Sequence, residues 1–144
     1  MLNVRQILSA KNLKTILSVH PDQSVMEALE VMADHNIGVV LVMRDTQLVG
    51  IFSERDYARK GIIQGRKAKS TPVSEVMTAG VITVASNVSI ETCMQLMSEK
   101  KFRHLPVVDG DEVVGVVSIG DLVTTIIREQ EFRIQSLEQY ITAG

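Results

Sequence analysis

Hydrophobic residues recur at helical spacing in two places along the chain. Val25, Ala28, Leu29 and Met32 occupy positions i, i+3, i+4 and i+7, which form the apolar stripe of an amphipathic helix. The second half repeats this spacing at Ile90, Cys93, Met94 and Met97. A serine directly precedes each stripe, Ser24 in one case and Ser89 in the other, and serine is a favoured N-cap. Two helices, each with one buried face, are therefore predicted.

Two short runs rich in β-branched residues follow each predicted helix. They cover residues 39–43 and 48–52 in the first half and residues 105–108 and 113–117 in the second half. Polar turns join the runs of each pair, and Asp109-Gly110 is the clearest hairpin signal. A further helix is expected to begin near Glu54 and near Ile119. Each half is thus predicted to fold as β-α-β-β-α, which places the chain in the mixed α/β class.

The two halves are copies of one unit. Identical residues stand 65 positions apart without a gap, and the pairs are Val19 and Val84, Ser24 and Ser89, Met32 and Met97, Val49-Gly50 and Val114-Gly115, Ser53 and Ser118, and Asp56 and Asp121. An internal repeat of this kind determines the architecture. We predict repeat 1 at residues 9–64, a basic linker at 65–72, repeat 2 at 73–128 and a helical tail at 129–144.

The tail has a helical pattern of its own. Ile127, Ile134 and Ile141 lie seven residues apart with Leu137 between them, as in a helix whose apolar face packs on another surface. Such a face needs a partner. We therefore expect a homodimer.

Composition and charge argue against several classes of protein. A net charge of −2 and an aromatic content of 3% with no tryptophan argue against nucleic-acid binding as the function, because that binding relies on basic and stacking residues. The apolar runs are too short for a membrane span. Cys93 is the only cysteine, which excludes an internal disulfide, and no signal-peptide pattern opens the chain. We expect a cytoplasmic protein.

No residue pattern points to catalysis or to a metal. The chain has no Gly-x-x-x-x-Gly-Lys phosphate loop, no Rossmann glycine fingerprint and no nucleophile–base spacing. The histidines, at positions 20, 35 and 104, lack the close spacing of metal ligands. Cys93 falls on an apolar stripe and is predicted to be buried and unreactive. We therefore expect neither an enzyme nor a catalytic cofactor.

The candidate chemistry lies where the last strand of each repeat gives way to a helix. Ser53 and Asp56 stand there in repeat 1, and Ser118 and Asp121 stand there in repeat 2. Backbone N–H groups at a helix N-terminus favour anions, serine can donate to phosphate, and aspartate can accept two hydrogen bonds from a ribose diol. The Ser-x-x-Asp spacing is also that of a capping box. The Ser-x-x-Asp motifs can therefore be nucleotide-binding sites or helix caps, and the two roles can coexist.

Two copies of an apolar-Gly-apolar-apolar-Ser-x-x-Asp turn, at residues 49–56 and 114–121, resemble the CBS pair, or Bateman module. The resemblance covers residues 9–128, and the stretch 53–60 with Gly65-Arg66, Lys69 and Thr71 is similar to small stand-alone CBS-pair proteins of bacteria and plant organelles. It implies two repeats packed about a pseudo-twofold axis and a flat homodimer. It also implies an adenosine-containing ligand, such as AMP, ADP, ATP, NAD or S-adenosylmethionine, in the cleft between the repeats.

The resemblance assigns roles to particular residues. It gives Asp56 and Asp121 to the ribose hydroxyls, and Ser53 and Ser118 to phosphate. It places adenine against the first short strand of the opposite half, which for the Asp121 cleft comprises Lys14, Thr15, Ile16 and Leu17, and for the Asp56 cleft comprises Thr78, Gly80, Val81 and Ile82. Residues entering the middle strand would reach the phosphates, and these are Arg103 and His104 in repeat 2 but Gly38 and Val39 in repeat 1.

These differences predict two unequal sites. Arg103 and His104 flank the Asp121 turn, whereas Arg55 lies inside the Asp56 turn. Our interpretation is a non-catalytic regulatory module that binds an adenine-containing ligand and signals to an unknown client protein. The alternative is a ligand-free assembly module whose serines and aspartates only cap helices.

Overall fold

The computed structural model of the protein describes residues 2–11 and 16–143. Its elements are, in chain order, α1 (Val4–Lys11), β1 (Ser18–Val19), α2 (Val25–Asp34), β2 (Val39–Arg44), β3 (Gln47–Ser53), α3 (Glu54–Asp56), a π-helical segment (Tyr57–Ile62), a 3-10 turn (Val73–Glu75), α4 (Ile90–Lys100), β4 (His104–Asp109), β5 (Glu112–Ser118) and α5 (Ile119–Ala143). They form two units. The Asp56 unit contains residues 16–83 and 110–113, and the Asp121 unit contains residues 2–11, 84–109 and 114–143.

The predicted local signals are confirmed. Ser24 Oγ accepts a hydrogen bond from the Glu27 N–H at 3.1 Å, and Ser89 Oγ accepts one from the Thr92 N–H at 3.1 Å, so both serines are N-caps. The two predicted strand pairs form β2-β3 and β4-β5. Gly110 has a φ of +62°, which explains the glycine in the predicted turn.

The Asp56 unit is built on a three-stranded sheet. β1 pairs with β2 in parallel, and β2 pairs with β3 in the antiparallel direction. Helix α2 contributes its predicted stripe to a core whose buried members are Val19, Val25, Ala28, Met32, Val40, Val42, Phe52, Val73 and Val76. Each such side chain contributes roughly 1.5 to 3 kcal/mol when fully buried, apart from the small alanine. The stripe predicted from the sequence therefore is the inner face of α2.

The Asp121 unit repeats this plan with a weaker first strand. β4 and β5 form its two-stranded sheet, and the predicted first strand is reduced to one parallel bridge between Val84 and Val107. Helix α4 buries Ile90, Cys93 and Met97. Burial raises the pKa of the Cys93 thiol, which agrees with its predicted inert position.

Helix α1 belongs to the Asp121 unit, although it lies at the start of the chain and overlaps the predicted bounds of repeat 1. Its Val4 N–H donates to the Val88 carbonyl at 3.0 Å, and its Arg5 N–H donates to the Ser86 carbonyl at 2.9 Å. Val4 and Ile7 are buried. The sequence pattern does not predict this helix, because its apolar stripe is short and has no counterpart helix in repeat 2.

The second helix of repeat 1 differs from that of repeat 2. α3 is a single turn, and it continues as a π-helical segment in which the Ile63 N–H reaches back to the Ala58 carbonyl at 3.2 Å. Gly61 lies within this segment, and a Cβ there would stand 2.9 Å from the Tyr57 ring. Glycine disfavours a regular α-helix, and the ring occupies the space beside it. In repeat 2, by contrast, α5 is a regular helix of 25 residues.

Among the described helices, none combines the length and the apolar character that crossing a membrane requires.

Candidate functional site

Each repeat carries a closed capping box at its strand-to-helix turn. The Asp56 N–H donates to Ser53 Oγ at 3.1 Å, and the Ser53 N–H donates to Asp56 Oδ2 at 2.9 Å. The equivalent bonds join Asp121 and Ser118 at 3.0 and 2.8 Å. The capping role that the spacing left open is therefore present in both repeats. It also fixes each carboxylate at the start of a helix.

A glycine precedes each turn because another segment packs directly on the strand there. A Cβ on Gly50 would stand 2.5 Å from Met77 Sδ and 3.0 Å from the Thr78 carbonyl oxygen. A Cβ on Gly115 would stand 2.7 Å from Leu8 Cδ2. Both distances are shorter than nonbonded carbon contacts allow. The predicted Val-Gly pairs thus mark the places where a second segment approaches the site.

The segment packed on Gly50 supplies a partner for Asp56. Thr78 Oγ1 donates to Asp56 Oδ1 at 3.1 Å, and Thr78 also bridges to Ile51 of β3. Lys60 Nζ lies 3.7 Å from Asp56 Oδ1 and donates to the Met77 carbonyl at 3.3 Å. The Asp56 side chain is only 15% exposed. The structure therefore brings together Ser53, Asp56 and Thr78, which were predicted as site residues, and adds Lys60.

Asp121 has a different cation beside it. Lys11, the last residue of α1, donates to Asp121 Oδ2 at 2.9 Å and to the Val116 carbonyl at 3.0 Å. Within the described part of the chain, the other carboxylate oxygen, Oδ1, receives no hydrogen bond. Lys11 was missed by the sequence analysis. Its 65-position counterpart is Val76, so the repeat itself contained no signal for it.

The charges around Asp121 shift two pKa values. Burial raises the pKa of Asp121, but the Ser118 N–H and the Lys11 ammonium outweigh this and hold the pKa below its usual range. Burial lowers the pKa of His104, the Asp121 charge opposes that shift, and the Lys11 and Arg103 charges add to it. At neutral pH this turn therefore presents a carboxylate beside a neutral imidazole and two fixed cations.

The residues predicted at the start of the middle strands lie against the helix ends. The Glu54 N–H donates to the Gly38 carbonyl at 3.2 Å, and the Ile119 N–H donates to the Arg103 carbonyl at 2.9 Å. Gly38 and Arg103 are equivalent in the repeat, so only repeat 2 has a basic side chain here. Arg103 is exposed and His104 is half-buried, and Val39 is half-buried at the start of β2.

Other predicted site residues are placed as follows. Arg55 and Ile16 are exposed, Leu17 is half-buried, Val81 and Ile82 are half-buried, and Gly80 is exposed with a φ of +64°. The Leu17 carbonyl accepts from the Leu41 N–H at 3.3 Å. Lys14 and Thr15 lie outside the described residues.

Comparison with known proteins matches this arrangement to one family. The model of the CBS domain family matches residues 4–62 and 73–128. The chain is 40% identical over 128 residues to the CBS domain-containing protein CBSX3, mitochondrial, of Arabidopsis thaliana. That alignment covers 85% of this chain and 62% of the relative, so the chain spans less than two thirds of the relative's length.

Two solved structures have the same fold. One is a putative signal-transduction protein with CBS domains from Burkholderia ambifaria MC40-6, with 44% identity and a TM-score of 0.86 over 90% of this chain and 96% of that one. The other is the CBS domain pair of protein MJ0100 in complex with 5-methylthioadenosine and S-adenosyl-L-methionine, with 29% identity and a TM-score of 0.79 over 90% and 98% of the two chains. On its sequence and its fold, the chain belongs to the CBS-domain family, as a pair of CBS domains.

Proposed function

We propose that this CBS pair is a non-catalytic regulatory module that binds an adenosine-containing ligand at its Ser-x-x-Asp turns. The observation that carries the proposal is the Asp121 turn. There a carboxylate with one oxygen open to a new donor is fixed at the N-terminus of a long helix, beside the basic residues Lys11, Arg103 and His104. A diol-binding acceptor next to two cations, Lys11 and Arg103, suits a ribose that carries phosphate.

Each residue of the Asp121 turn has a proposed role. Asp121 Oδ1 accepts from the ribose hydroxyls, while Oδ2 keeps its capping bond to the Ser118 N–H at 2.8 Å. Lys11, which is 26% exposed, turns from Asp121 toward the ligand phosphate, and Arg103 and His104 face the same charge. Lys11 therefore exchanges its ion pair with Asp121 for one with the ligand phosphate, which limits the electrostatic cost of binding.

The Asp56 turn is proposed as a second, unequal site. Both oxygens of Asp56 already accept hydrogen bonds, from Ser53 and from Thr78. A ribose there must replace the Thr78 bond, and the nearby cations are Lys60 and the exposed Arg55. We therefore expect weaker binding at Asp56 than at Asp121.

The proposed class of ligand is supported in part by a solved structure with the same fold. The MJ0100 domain pair holds two adenosine derivatives, 5-methylthioadenosine and S-adenosyl-L-methionine. The basic residues around Asp121 favour phosphate-bearing members of the class, AMP, ADP, ATP or NAD. We further propose that the bound form signals to a client protein, and that the module works in a reducing compartment such as the cytoplasm, where Cys93 stays a buried thiol.

Native mass spectrometry of freshly purified protein, followed by a melting-temperature scan, tests the proposal. AMP, ADP, ATP, NAD and S-adenosylmethionine are compared with GTP as the control base. A ligand at a hundredfold excess over its Kd adds about 2.7 kcal/mol to the free energy of unfolding. A retained adenosine compound, or a rise in melting temperature that GTP does not produce, supports the proposal. No retained mass and no shift with any adenosine compound would contradict it.

The second candidate function is a ligand-free assembly module. It is favoured by the complete capping boxes, which give Ser53, Asp56, Ser118 and Asp121 a structural role without any ligand. The same scan separates the two candidates, because the assembly module melts at one temperature in every nucleotide solution.

A further inference from the structure

The C-terminal part of α5 has an apolar stripe that no described residue covers. Every side chain from residue 130 to residue 142 is exposed. The stripe comprises Ile127, Ile134, Leu137 and Ile141, whose exposed fractions are 50, 55, 62 and 76%. An isolated helical segment of this length is marginally stable in water, and helices are stabilised mainly by packing of an apolar face. We therefore expect the C-terminal part of α5 to pack on a partner surface.

The spacing of the stripe is that of a coiled coil. Position a of the heptad is isoleucine three times, at Ile127, Ile134 and Ile141, and position d is Val123, Gln130 and Leu137. Isoleucine at a with leucine at d favours two parallel strands, and Leu137 supplies that leucine at one of the three d positions. The repeat of seven, and not merely an apolar face, indicates another helix of the same pitch as the partner.

Charges beside the stripe select the direction of that partner. Arg133 is at position g and Glu138 is at position e. In a parallel, in-register pair, a g residue faces the e residue five positions later on the other helix, so Arg133 meets Glu138 on both sides of the seam. An antiparallel pair instead sets g against g and e against e, which brings like charges together.

Two further features fit the parallel register. Gln130 at position d then faces Gln130 of the other copy, where the two amides can hydrogen-bond, whereas any shifted register sets it against an aliphatic side chain. Arg133 donates to Glu129 of its own helix at 2.8 Å. That exposed pair is weak, and a guanidinium has five donors, so Arg133 can also reach a second carboxylate.

We propose that residues 123–141 of α5 pair with the same residues of a second copy as a parallel, in-register, two-stranded coiled coil. The inference does not depend on ligand binding. Phe132 is 69% exposed but lies at position f, outside the seam. It therefore provides a matched control for Ile134, two residues away.

The first experiment is analytical ultracentrifugation of the full chain and two variants at tens of micromolar protein. The wild type and Phe132→Asp sediment as dimers. Ile134→Asp raises the dimer Kd by about 100-fold or more, because it places two unpaired carboxylates in an apolar seam. Because the Ile134 side chain is about half exposed, the substitution should leave the two folded units intact, which a circular-dichroism spectrum of the monomeric variant checks. A monomeric wild type, or a dimer that survives Ile134→Asp, would overturn the proposal.

The second experiment fixes direction and register. Leu137→Cys places two thiols face to face at position d, so mild oxidation links the copies, whereas Ser136→Cys lies off the seam and does not. Cys93 is buried and stays out of the reaction. Glu138→Arg weakens the dimer, and adding Arg133→Glu restores it. Equal cross-linking at positions 136 and 137, or no restoration by the double charge exchange, would refute the parallel register.

Discussion

Lys11 Nζ lies 2.9 Å from Asp121 Oδ2, although the two residues are 110 positions apart in the chain. Lys11 falls within the predicted bounds of repeat 1 and bonds a carboxylate of repeat 2, whereas Thr78 falls within those of repeat 2 and bonds Asp56 of repeat 1. Each candidate carboxylate is thus held by a residue from outside its own repeat. A cation at one turn and a hydroxyl at the other make the two turns chemically different.

Replacing Lys11 by Gln distinguishes two roles for this lysine: binding the ligand phosphate, or competing with the ribose for Asp121. If Lys11 turns to the phosphate, the variant loses affinity in proportion to ligand charge. We expect ATP to bind about 10- to 100-fold more weakly, since a charged hydrogen bond contributes about 1.5 to 3 kcal/mol, and adenosine to bind nearly unchanged. Titration calorimetry with adenosine, AMP and ATP measures the series.

The control for this series is Lys100→Gln, at an exposed position in the last turn of α4. It removes the same charge, and among the described residues Lys100 forms no hydrogen bond or ion pair with Ser118 or Asp121. Tighter binding of adenosine to Lys11→Gln, with ATP unaffected, would instead mean that Lys11 competes with the ribose for Asp121.

The variants Asp56→Asn and Asp121→Asn distinguish ligand binding from capping. Each keeps the size and part of the capping ability of the side chain but loses a charged acceptor. Affinity should fall about 10- to 100-fold at the altered turn. The free energy of unfolding without ligand should fall by about 1 kcal/mol or less, because the Lys11–Asp121 pair is partly exposed and asparagine still caps.

Asp111→Asn, at an exposed position in the turn between β4 and β5, is the matched control and should change neither quantity. Calorimetry and chemical denaturation are measured on the same preparations. Lower stability with unchanged affinity in both turn variants would leave the aspartates as helix caps alone.

The sequence predicted those parts of the fold that are coded locally. The N-caps Ser24 and Ser89, the two hairpins and the Ser-x-x-Asp turns depend on residues a few positions apart, and all of them form. The resemblance to the family placed Thr78 at the Asp56 cleft, and the two side chains are in contact.

Features that depend on tertiary contact were missed. Helix α1 is stabilised by packing in the Asp121 unit, and Lys11 has no repeat partner that would single it out. In the π-helical segment the Tyr57 ring lies where a Cβ on Gly61 would stand, a contact that no periodicity encodes. A site between segments far apart in the chain is visible only when the segments are folded together.

Gly50→Ala and Gly115→Ala should differ in cost although the glycines are equivalent in the repeat. At Gly50 the new methyl would meet both Met77 Sδ and the Thr78 backbone oxygen, which cannot easily move. At Gly115 it would meet only the end of the Leu8 side chain. We expect a loss of about 1 to 3 kcal/mol for Gly50→Ala and less for Gly115→Ala.

A double-mutant cycle checks the cause. Leu8→Ala should remove most of the additional cost of Gly115→Ala, whereas Met77→Ala should relieve Gly50→Ala only in part, since the backbone contact remains. Strict additivity of Leu8→Ala and Gly115→Ala in urea denaturation would contradict the assigned contact.

The lowered pKa of His104 predicts that mild acid destabilises the protein. In the unfolded chain the imidazole titrates near its ordinary value of about 6.5, whereas in the folded protein burial holds the pKa lower. Between those two values the unfolded state binds more protons, so stability is fully present above the unfolded pKa and falls as pH falls through the folded one. The lowered pKa of Asp121 has the same sign but acts in the more acidic carboxylate range.

His104→Gln should therefore flatten the stability profile between about pH 7 and pH 5. Melting temperatures across that range supply the measurement. Binding adds a second readout, because a phosphate beside His104 favours the imidazolium and opposes the effect of burial. ATP should then bind more tightly at pH 6 than at pH 7.5 in the wild type, with uptake of protons, and the His104→Gln variant should lose that dependence. A pH profile of ATP affinity that is identical in the wild type and in His104→Gln would place the phosphate away from His104, and with it away from the Asp121 turn.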